Sequence, residues 1–377
     1  MPCRAQQLLD LGQSVWLDYI HRRELQSGVF AAQVRDQGVV GVTSNPTIFH
    51  QAIGQGTGYD AAIRERLVQR LAGVPLYESL AIEDVQTACD ALQPVFEQSG
   101  GLDGRVSIEV SPRLAHDAEG TVAEARRLKA AVARANVMIK VPATAAGLPA
   151  VRTLIAEGTC VNVTLIFSLA RYEQVMEAYL CGLESRAAQG QPLAPVVSVA
   201  SFFVSRVDNK VDAAIEQRLA TLPADSVEHL ELADLRGQAA VANAKLAYAR
   251  FREVFDAPRF QALAARGARV QRPLWASTST KNPAYRDTLY VDELIGPDTV
   301  NTIPPGTLAA YNDHGVLDPR LLRGADEAGA LFRRLPELGV PVDDLIGQLE
   351  EEGVIAFVKS FESLLATLEK KRARMAV

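Results

Sequence analysis

The sequence alternates short apolar runs with longer segments of helical composition, and this alternation restricts the fold more than any other feature. Eight runs have the length and composition of buried strands: residues 14–20, 39–49, 105–112, 136–144, 160–168, 194–208, 272–282 and 299–305. Eight strands that each lead into a helix are the count expected of an α/β (β/α)8 TIM barrel, which is the fold we predict. An open, doubly wound parallel sheet would also accommodate the alternation.

The chain is longer than a barrel alone requires. It has 377 residues, whereas such barrels typically need about 250. We predict one barrel domain over residues 1–377 with additional helices, in which residues from about 315 to 377 form a helical C-terminal extension. The extension is expected to pack on the barrel or against a neighbouring subunit, as in a homodimer. Within the barrel, Thr121 and Glu124 have capping-box spacing and predict a helix start.

Composition narrows the class of function. The formal net charge is −6 and shows no basic excess, so neither nucleic acid nor an anionic membrane is the expected partner. The sequence contains no run of 18 or more apolar residues, so we predict no transmembrane helix. The cysteines have no CxxC spacing and the N-terminus has no apolar signal-peptide core, which favours a reducing cytoplasm. The cysteines are Cys3, Cys89, Cys160 and Cys181.

One lysine interrupts an otherwise apolar predicted strand. Lys140 lies in the run NVMIKVPAT, between Ile139 and Val141. A buried amine that is neutral near pH 7 is a nucleophile able to form a Schiff base with a carbonyl. The alternative is that Lys140 ends the strand, with its amine extending into solvent or pairing with a carboxylate.

Polar side chains occur near the ends of most of the predicted strands. They are Asp18, Asn45, Glu109, Lys140, Asn162, Thr164, Ser201 and Ser277. Each has an ordinary explanation alone, such as a turn residue for Asn45, a strand former for Thr164 or a helix cap for Asp18. In a barrel, however, the C-terminal ends of all strands meet at one mouth, so these groups would surround one ligand.

The chemistry that these side chains suit is carbonyl chemistry through an imine. Glu109 would deliver a proton to the carbinolamine oxygen, directly or through a water held by Thr164. Asp18 would accept the hydroxyl proton released in an aldol cleavage. Arg206 and Lys281 follow strands six and seven, where barrels often bind phosphate, so a sugar phosphate is the expected substrate unless the two are ordinary surface charges.

Two other kinds of site are not expected. The five histidines are far apart and form no metal-binding pair, so we predict neither a metal nor any other cofactor. The glycines of GQGTGY do not directly follow a strand and lack G-x-G-x-x-G spacing, which favours a flexible loop over a dinucleotide site.

Five segments in this order and spacing resemble the transaldolase family of class I aldolases: TSNPTIF, SIEVS, MIKVPAT, NVTLIFS and SFFVSRVD. The resemblance extends from the first strand to at least Pro304. It implies a (β/α)8 barrel that moves a dihydroxyacetone unit from a ketose phosphate to an aldose phosphate, in the non-oxidative pentose phosphate pathway. The implied donors are fructose 6-phosphate and sedoheptulose 7-phosphate, and the implied acceptors are erythrose 4-phosphate and glyceraldehyde 3-phosphate.

The resemblance also implies a role for each matching position. The imine-forming lysine falls on Lys140, the acid and base carboxylates on Asp18 and Glu109, and the water-holding threonine on Thr164. The implied substrate-binding residues are Asn45, Asn162, Ser201, Arg206 and Ser277. Many family members have a second phosphate-binding arginine two residues after the serine at 277, where this chain has Ser279, and Lys281 is the predicted replacement for its charge.

Two other functions stay open at the level of sequence. An aldolase that hydrolyses the same enamine and releases free dihydroxyacetone would share the lysine and both carboxylates. A non-catalytic barrel that binds sugar phosphates is the alternative from another class, but a binding module has no need of a paired acid and base.

Overall fold

Eight parallel strands close into a barrel in the computed structural model, which describes residues 2–375. The strands are β1 Gln13–Leu17, β2 Val39–Thr43, β3 Arg105–Glu109, β4 Val137–Pro142, β5 Val161–Ile166, β6 Ser198–Phe203, β7 Arg272–Ala276 and β8 Thr299–Ile303. Strands adjacent in sequence are adjacent in the barrel, and β8 pairs with β1, with Asn301 opposite Val15. This closure confirms the predicted (β/α)8 TIM barrel and excludes the open sheet.

The strands are buried on both faces because helices cover the outside of the barrel and side chains fill its interior. Every residue of β4 and β5 is buried, including the polar ones. Gly41 of β2 shows how closely the strands pack: a Cβ atom there would lie 2.6 Å from the ring of Trp16 on β1.

The strands are shorter than the apolar runs that predicted them. In the run 39–49 the strand ends at Thr43, and Asn45 then caps a helix by accepting a hydrogen bond from Ile48 N at 3.0 Å. Pro46 occupies the first position of that helix, where its missing N–H costs nothing. In the run 194–208 the strand likewise ends at Phe203, and Ser205 begins the next helix.

Helices connect the strands and extend beyond them. They are α1 Arg4–Asp10, α2 Arg22–Ser27, α3 Val29–Asp36, α4 Pro46–Gly54, α5 Asp60–Val68, α6 Gly73–Gln98, α7 Ala118–Val132, α8 Gly147–Ala156, α9 Leu169–Ala188, α10 Ser205–Leu219, α11 Val227–Asp234, α12 Ala239–Asp256, α13 Pro258–Ala264, α14 Leu289–Glu293, α15 Pro305–His314, α16 Ala325–Glu337 and α17 Val342–Met375. Short 3₁₀ turns occur at Pro112–Leu114 and Arg320–Leu322. Among the helices described here, none combines the length and apolar character needed to cross a membrane.

The predicted capping box of α7 is wrong. The helix begins four residues earlier than predicted, at Ala118 rather than Val122, because Asp117 accepts a hydrogen bond from the backbone N–H of Gly120 at 2.9 Å. Thr121 is buried inside the helix. Glu124 accepts a hydrogen bond from Ser111 N at 2.9 Å, so it holds the loop after β3 rather than the end of its own helix.

The C-terminal extension is helical, as predicted. The 34-residue helix α17 packs against α4 and α10, which follow β2 and β6, and also contacts β5. These neighbours all lie at the C-terminal end of the barrel. The last helix of the chain, α17, therefore runs across the mouth of the barrel.

Candidate active site

Lys140 lies in the interior of β4, and its side chain is 5% exposed. Its Nζ atom donates a hydrogen bond to the Ser44 carbonyl oxygen at 3.3 Å and lies 3.6 Å from Oε2 of Glu109. The interpretation that this amine extends into solvent is therefore wrong. It has a carboxylate neighbour, but at a distance longer than a close ion pair.

Glu109 is the last residue of β3 and lies opposite Lys140 in the strand register. Burial raises the pKa of this carboxyl to about 7, although the charge of Lys140 acts in the opposite direction. Its Oε2 atom has no hydrogen-bond partner within the described residues. Glu109 can therefore both donate and accept a proton near neutral pH.

Asp18 directly follows β1 and supplies a second carboxyl group. Its Oδ1 atom accepts a hydrogen bond from the Thr43 hydroxyl at 2.8 Å, and Thr43 Oγ1 lies 2.6 Å from Thr302 Oγ1 on β8. Burial raises the pKa of Asp18, whereas the charges of Lys140 and Lys281 lower it. The two carboxyl groups thus lie in the field of the same buried amine.

Asn162 and Thr164 on β5 lie next to β4, where Asn162 is the register partner of Lys140. The Asn162 amide accepts a hydrogen bond from Ser201 Oγ at 2.7 Å and donates one to Ser107 Oγ at 3.1 Å. Thr164 is fully buried, and within residues 2–375 its hydroxyl has no partner. A water bound there would satisfy that hydroxyl.

The strand register shifts after Val163, and Leu165 has a φ of 60°. A branched residue in the left-handed region is strained, and such strain is concentrated at functional sites. Ser277, directly after β7, has a φ of 60° as well. Both departures from regular strand geometry lie at the C-terminal end of the barrel.

Arg206 lies in the first turn of α10. Its guanidinium lies over the rings of Phe203, at 5.2 Å, and Phe357, at 5.9 Å, and it forms no ion pair among the residues described. Ser205 and Ser277 join α10 to the end of β7 by a hydrogen bond of 2.8 Å between their hydroxyls. An unpaired cation at a helix N-terminus is suited to bind an anion.

Lys281 is exposed, and its Nζ atom donates a hydrogen bond to Ser279 Oγ at 2.7 Å. The loop that carries it is joined to α10 through Tyr285, whose hydroxyl donates to Asp212 Oδ2 at 2.8 Å. The positive charge of Lys281 lowers the pKa of Asp18, although burial of Asp18 has the larger, opposite effect.

The C-terminal end of the barrel thus brings together a buried amine, two carboxyl groups with raised pKa values and an arginine that has no ion-pair partner within residues 2–375. Residues 15–368 match the family described as Transaldolase/Fructose-6-phosphate aldolase. The chain belongs to this family. It is 50% identical to the transaldolase of Thermobifida fusca over 369 residues, covering 98% of each chain.

Two other relatives are similar over nearly their whole length. Transaldolase 1 of Streptomyces coelicolor is 50% identical over 366 residues, covering 97% of this chain and 94% of the relative. Transaldolase 2 of Nostoc sp. is 47% identical over 367 residues, covering 97% and 96%. The five segments whose resemblance to transaldolases is visible in the sequence lie at the C-terminal ends of β2 to β6.

The structure of this transaldolase-family member also contains site residues that the sequence analysis missed. The backbone carbonyl of Ser44 and the ring of Phe357 both lie near Lys140, and Thr43 holds Asp18. A backbone carbonyl has no sequence signal, and Phe357 lies far along the chain in an ordinary apolar helix position. Asn45, which was predicted to bind substrate, uses its side-chain oxygen to cap α4.

Proposed function

We propose that this protein is a transaldolase, which transfers a dihydroxyacetone unit from a ketose phosphate to an aldose phosphate through a Schiff base on Lys140. The donors would be sedoheptulose 7-phosphate or fructose 6-phosphate, and the acceptors glyceraldehyde 3-phosphate or erythrose 4-phosphate. The observation that carries the proposal is the buried Lys140 amine, 3.6 Å from the Glu109 carboxylate. The names of the relatives support the same reaction.

The reaction begins with attack of the Lys140 amine on C2 of the ketose. Glu109, whose raised pKa of about 7 leaves it partly protonated at neutral pH, supplies the proton with which the carbinolamine oxygen leaves as water. The unpartnered hydroxyl of Thr164 holds the water through which this proton passes. The product is a protonated imine.

Carbon–carbon cleavage follows. Asp18 removes the proton of the C4 hydroxyl, the C3–C4 bond breaks, and its electron pair moves to the imine to form an enamine. The aldose leaves while the three-carbon unit stays bound to Lys140. An incoming aldehyde then reacts with the enamine as Asp18 returns the proton, and hydrolysis of the new imine releases the product ketose.

Arg206 is the proposed ligand of the substrate phosphate because it carries an unpaired charge at the N-terminus of α10. Lys281 is proposed to add a second positive charge in place of the arginine that Ser279 replaces. Ser277 would contribute its hydroxyl beside Arg206. Bidentate recognition would come from the guanidinium, while the ammonium acts as a point charge.

The sugar hydroxyls are assigned to the polar groups around Lys140. Asn162 and Ser201 form a buried, hydrogen-bonded pair next to the amine, which makes them the strongest candidates. Asn45 retains its amide group for a hydroxyl while its oxygen caps α4. We also propose that residues 1–377 act as one domain in the cytoplasm, within the non-oxidative pentose phosphate pathway; a homodimer stays a prediction.

Reductive trapping tests the proposal. The purified protein is incubated with fructose 6-phosphate and borohydride, and the peptide spanning residues 135–152 is analysed by mass spectrometry. The expected result is a dihydroxyacetone-derived adduct on Lys140 that is absent from Lys140→Met and present in Lys129→Met, which removes a lysine from α7. An unmodified Lys140 in folded, substrate-binding protein would overturn the mechanism and favour a non-catalytic sugar-phosphate-binding barrel.

Product analysis then separates transfer from hydrolysis. With erythrose 4-phosphate present, a transaldolase converts fructose 6-phosphate into sedoheptulose 7-phosphate. An enzyme similar to fructose-6-phosphate aldolase would instead release free dihydroxyacetone at the same rate with and without the acceptor. This second function is retained because the family description covers both activities.

A further inference from the structure

We propose that Phe357, on the C-terminal helix α17, is a wall of the substrate site and determines that the enamine is transferred to an aldehyde rather than released as free dihydroxyacetone. This inference rests on the proposed function, since it concerns the fate of the intermediate on Lys140. It assigns to the C-terminal extension a part in the specificity of the reaction, beyond stabilising the barrel.

The position of the Phe357 ring is the first observation. The ring centroid lies 5.8 Å from Nζ of Lys140 and 5.9 Å from Cζ of Arg206. The ring therefore lies beside both the group that would hold C2 of the sugar and the group that would hold its phosphate. Phe357 and Lys140 are each 4% exposed, so the ring and the amine are both shielded from bulk water.

The neighbours of the ring make the wall continuous. Phe357 and Val354 line a narrow cavity together with Glu109 and Leu165. Gly353, one turn before Phe357, lies close to Leu165 and Phe167, where an added Cβ would be 3.1 Å from the Leu165 side chain. The helix thus packs directly on the irregular end of β5.

Arg206 contacts two aromatic rings. The ring of Phe203, at the end of β6, is the nearer of the two, and Phe357 supplies the second aromatic contact. Contacts of this kind orient an arginine without neutralising it. Phe357 therefore affects the presentation of Arg206 to an anion as well as the access of water to Lys140.

Polar contacts fix α17 over the mouth at several points. Ser360 accepts a hydrogen bond from Thr47 at 2.9 Å, and Glu362 pairs with Arg113 at 2.6 Å, which ties the helix to the segments after β2 and β3. Glu350 pairs with Arg171 at 2.7 Å, after β5. Lys210, on the helix after β6, pairs with Glu352. Contacts to the segments that follow four of the strands, β2, β3, β5 and β6, therefore hold α17 over the site.

The enamine on Lys140 has two possible fates, and protonation of its nucleophilic carbon decides between them. Attack of its nucleophilic carbon on an aldehyde forms the new C3–C4 bond. Alternatively, that carbon takes a proton from a carboxyl group or water to give the iminium of dihydroxyacetone. Addition of water to C2 then breaks the C–N bond, which releases dihydroxyacetone, the free amine and one proton. Closing an active site to water suppresses such side reactions.

The test compares Phe357→Ala with Ile355→Ala, which alters an exposed apolar residue of the same helix, 58% exposed. For each protein, the release of free dihydroxyacetone is measured with fructose 6-phosphate as the only substrate. The formation of sedoheptulose 7-phosphate is then measured with fructose 6-phosphate and erythrose 4-phosphate together. We expect the ratio of release to transfer to rise about tenfold or more in Phe357→Ala, because bulk water that enters the site can protonate the enamine carbon before an aldehyde reacts with it. The ratio in Ile355→Ala should equal that of the wild type.

The result that would overturn the inference is an unchanged ratio in Phe357→Ala while borohydride still traps the adduct on Lys140. Absence of the adduct from the wild type would instead overturn the proposed function, and the inference with it. Circular dichroism establishes that the variants fold. Should Phe357→Ala be unfolded, Phe357→Leu keeps the apolar contact with β5 but removes the ring, and a ratio identical to the wild type in that variant would equally contradict a role for the ring.

Discussion

Charged side chains are buried at both ends of this barrel, but they are paired differently. At the N-terminal end, Arg272 lies 2.9 Å from Asp103 and donates a second hydrogen bond to Ser14 at 2.7 Å. Asp103 also accepts hydrogen bonds from Ser14, at 2.8 Å, and from the indole of Trp16, at 3.3 Å. Only Nε of Arg272 is left without a partner in this cluster.

At the C-terminal end the groups of opposite charge are close but not fully paired. Lys140 and Glu109 are separated by 3.6 Å, and both Oε2 of Glu109 and the hydroxyl of Thr164 have no hydrogen-bond partner in the described part of the chain. Buried polar groups normally find partners within the protein, so these are available to a substrate or a water. Under the proposed function, buried charge at the N-terminal end of the barrel stabilises the fold, whereas buried charge at the C-terminal end serves the reaction.

Replacing Lys140 with Met should show most clearly that buried charge at the C-terminal end of the barrel serves the reaction and not the stability of the fold. The nucleophile is lost, so we expect kcat/KM to fall by about 10⁴-fold or more. The melting temperature at pH 6 should not fall, because Met fills similar space and Glu109, with its raised pKa of about 7, can take up a proton. Steady-state transfer assays and thermal denaturation measure the two effects. A stable variant with residual activity near that of the wild type would contradict the mechanism.

Glu109→Gln should have the next largest effect, a loss of about 10²- to 10⁴-fold in kcat. The wild-type carboxyl is protonated below its pKa of about 7, so a step that needs it as an acid should slow as the pH rises through 7. Because burial raises this pKa, the protonated form also stabilises the fold, and that stabilisation is lost as the pH rises through 7. Both pH dependences should be absent from the glutamine variant.

Arg272→Met should show the opposite behaviour to Lys140→Met. It leaves Asp103 buried without its cation, which costs about 3–5 kcal/mol of unfolding free energy. Urea denaturation measures this cost, and kcat per folded molecule should stay within about twofold of the wild type because the cluster lies at the far end of the barrel. A large loss of kcat in folded Arg272→Met would show that the two ends are not independent.

Much of this arrangement was predictable because its signals are local. Short apolar runs between helical segments indicated each strand, and a lysine or glutamate inside such a run indicated a polar group at a strand end. The order of the strands in a barrel then requires those ends to meet. Closure of the barrel confirms that step for the fold.

What could not be predicted depends on contacts between distant parts of the chain. Helical periodicity indicates that Phe357 is buried but not that α17 turns back over the mouth, because the direction of a terminal helix is decided by its packing and not by its own sequence. The start of α7 was missed for a different reason. Asp117 and Thr121 both have suitable capping chemistry, and only the path of the preceding loop decides which one is used.

The smallest expected effects come from two buried threonines, one at each end of the barrel. Thr299 Oγ1 donates to the Gly296 carbonyl at 2.6 Å and accepts from Gln13 at 2.9 Å, so Thr299→Val should cost about 1–3 kcal/mol and leave kcat unchanged. Thr164 has no partner to lose within residues 2–375, so Thr164→Val should leave the stability nearly unchanged. The kcat of Thr164→Val should fall by about 10- to 100-fold. This loss is smaller than that expected for Glu109→Gln, because the proposed water on Thr164 only relays the proton that Glu109 supplies. Urea denaturation and transfer rates are measured for both variants, since the same substitution is expected to lower the stability at the N-terminal end and kcat at the C-terminal end. Equal losses of stability in both would mean that the hydroxyl of Thr164 serves the fold as that of Thr299 does, and Glu109 would then have to deliver its proton without a water on Thr164.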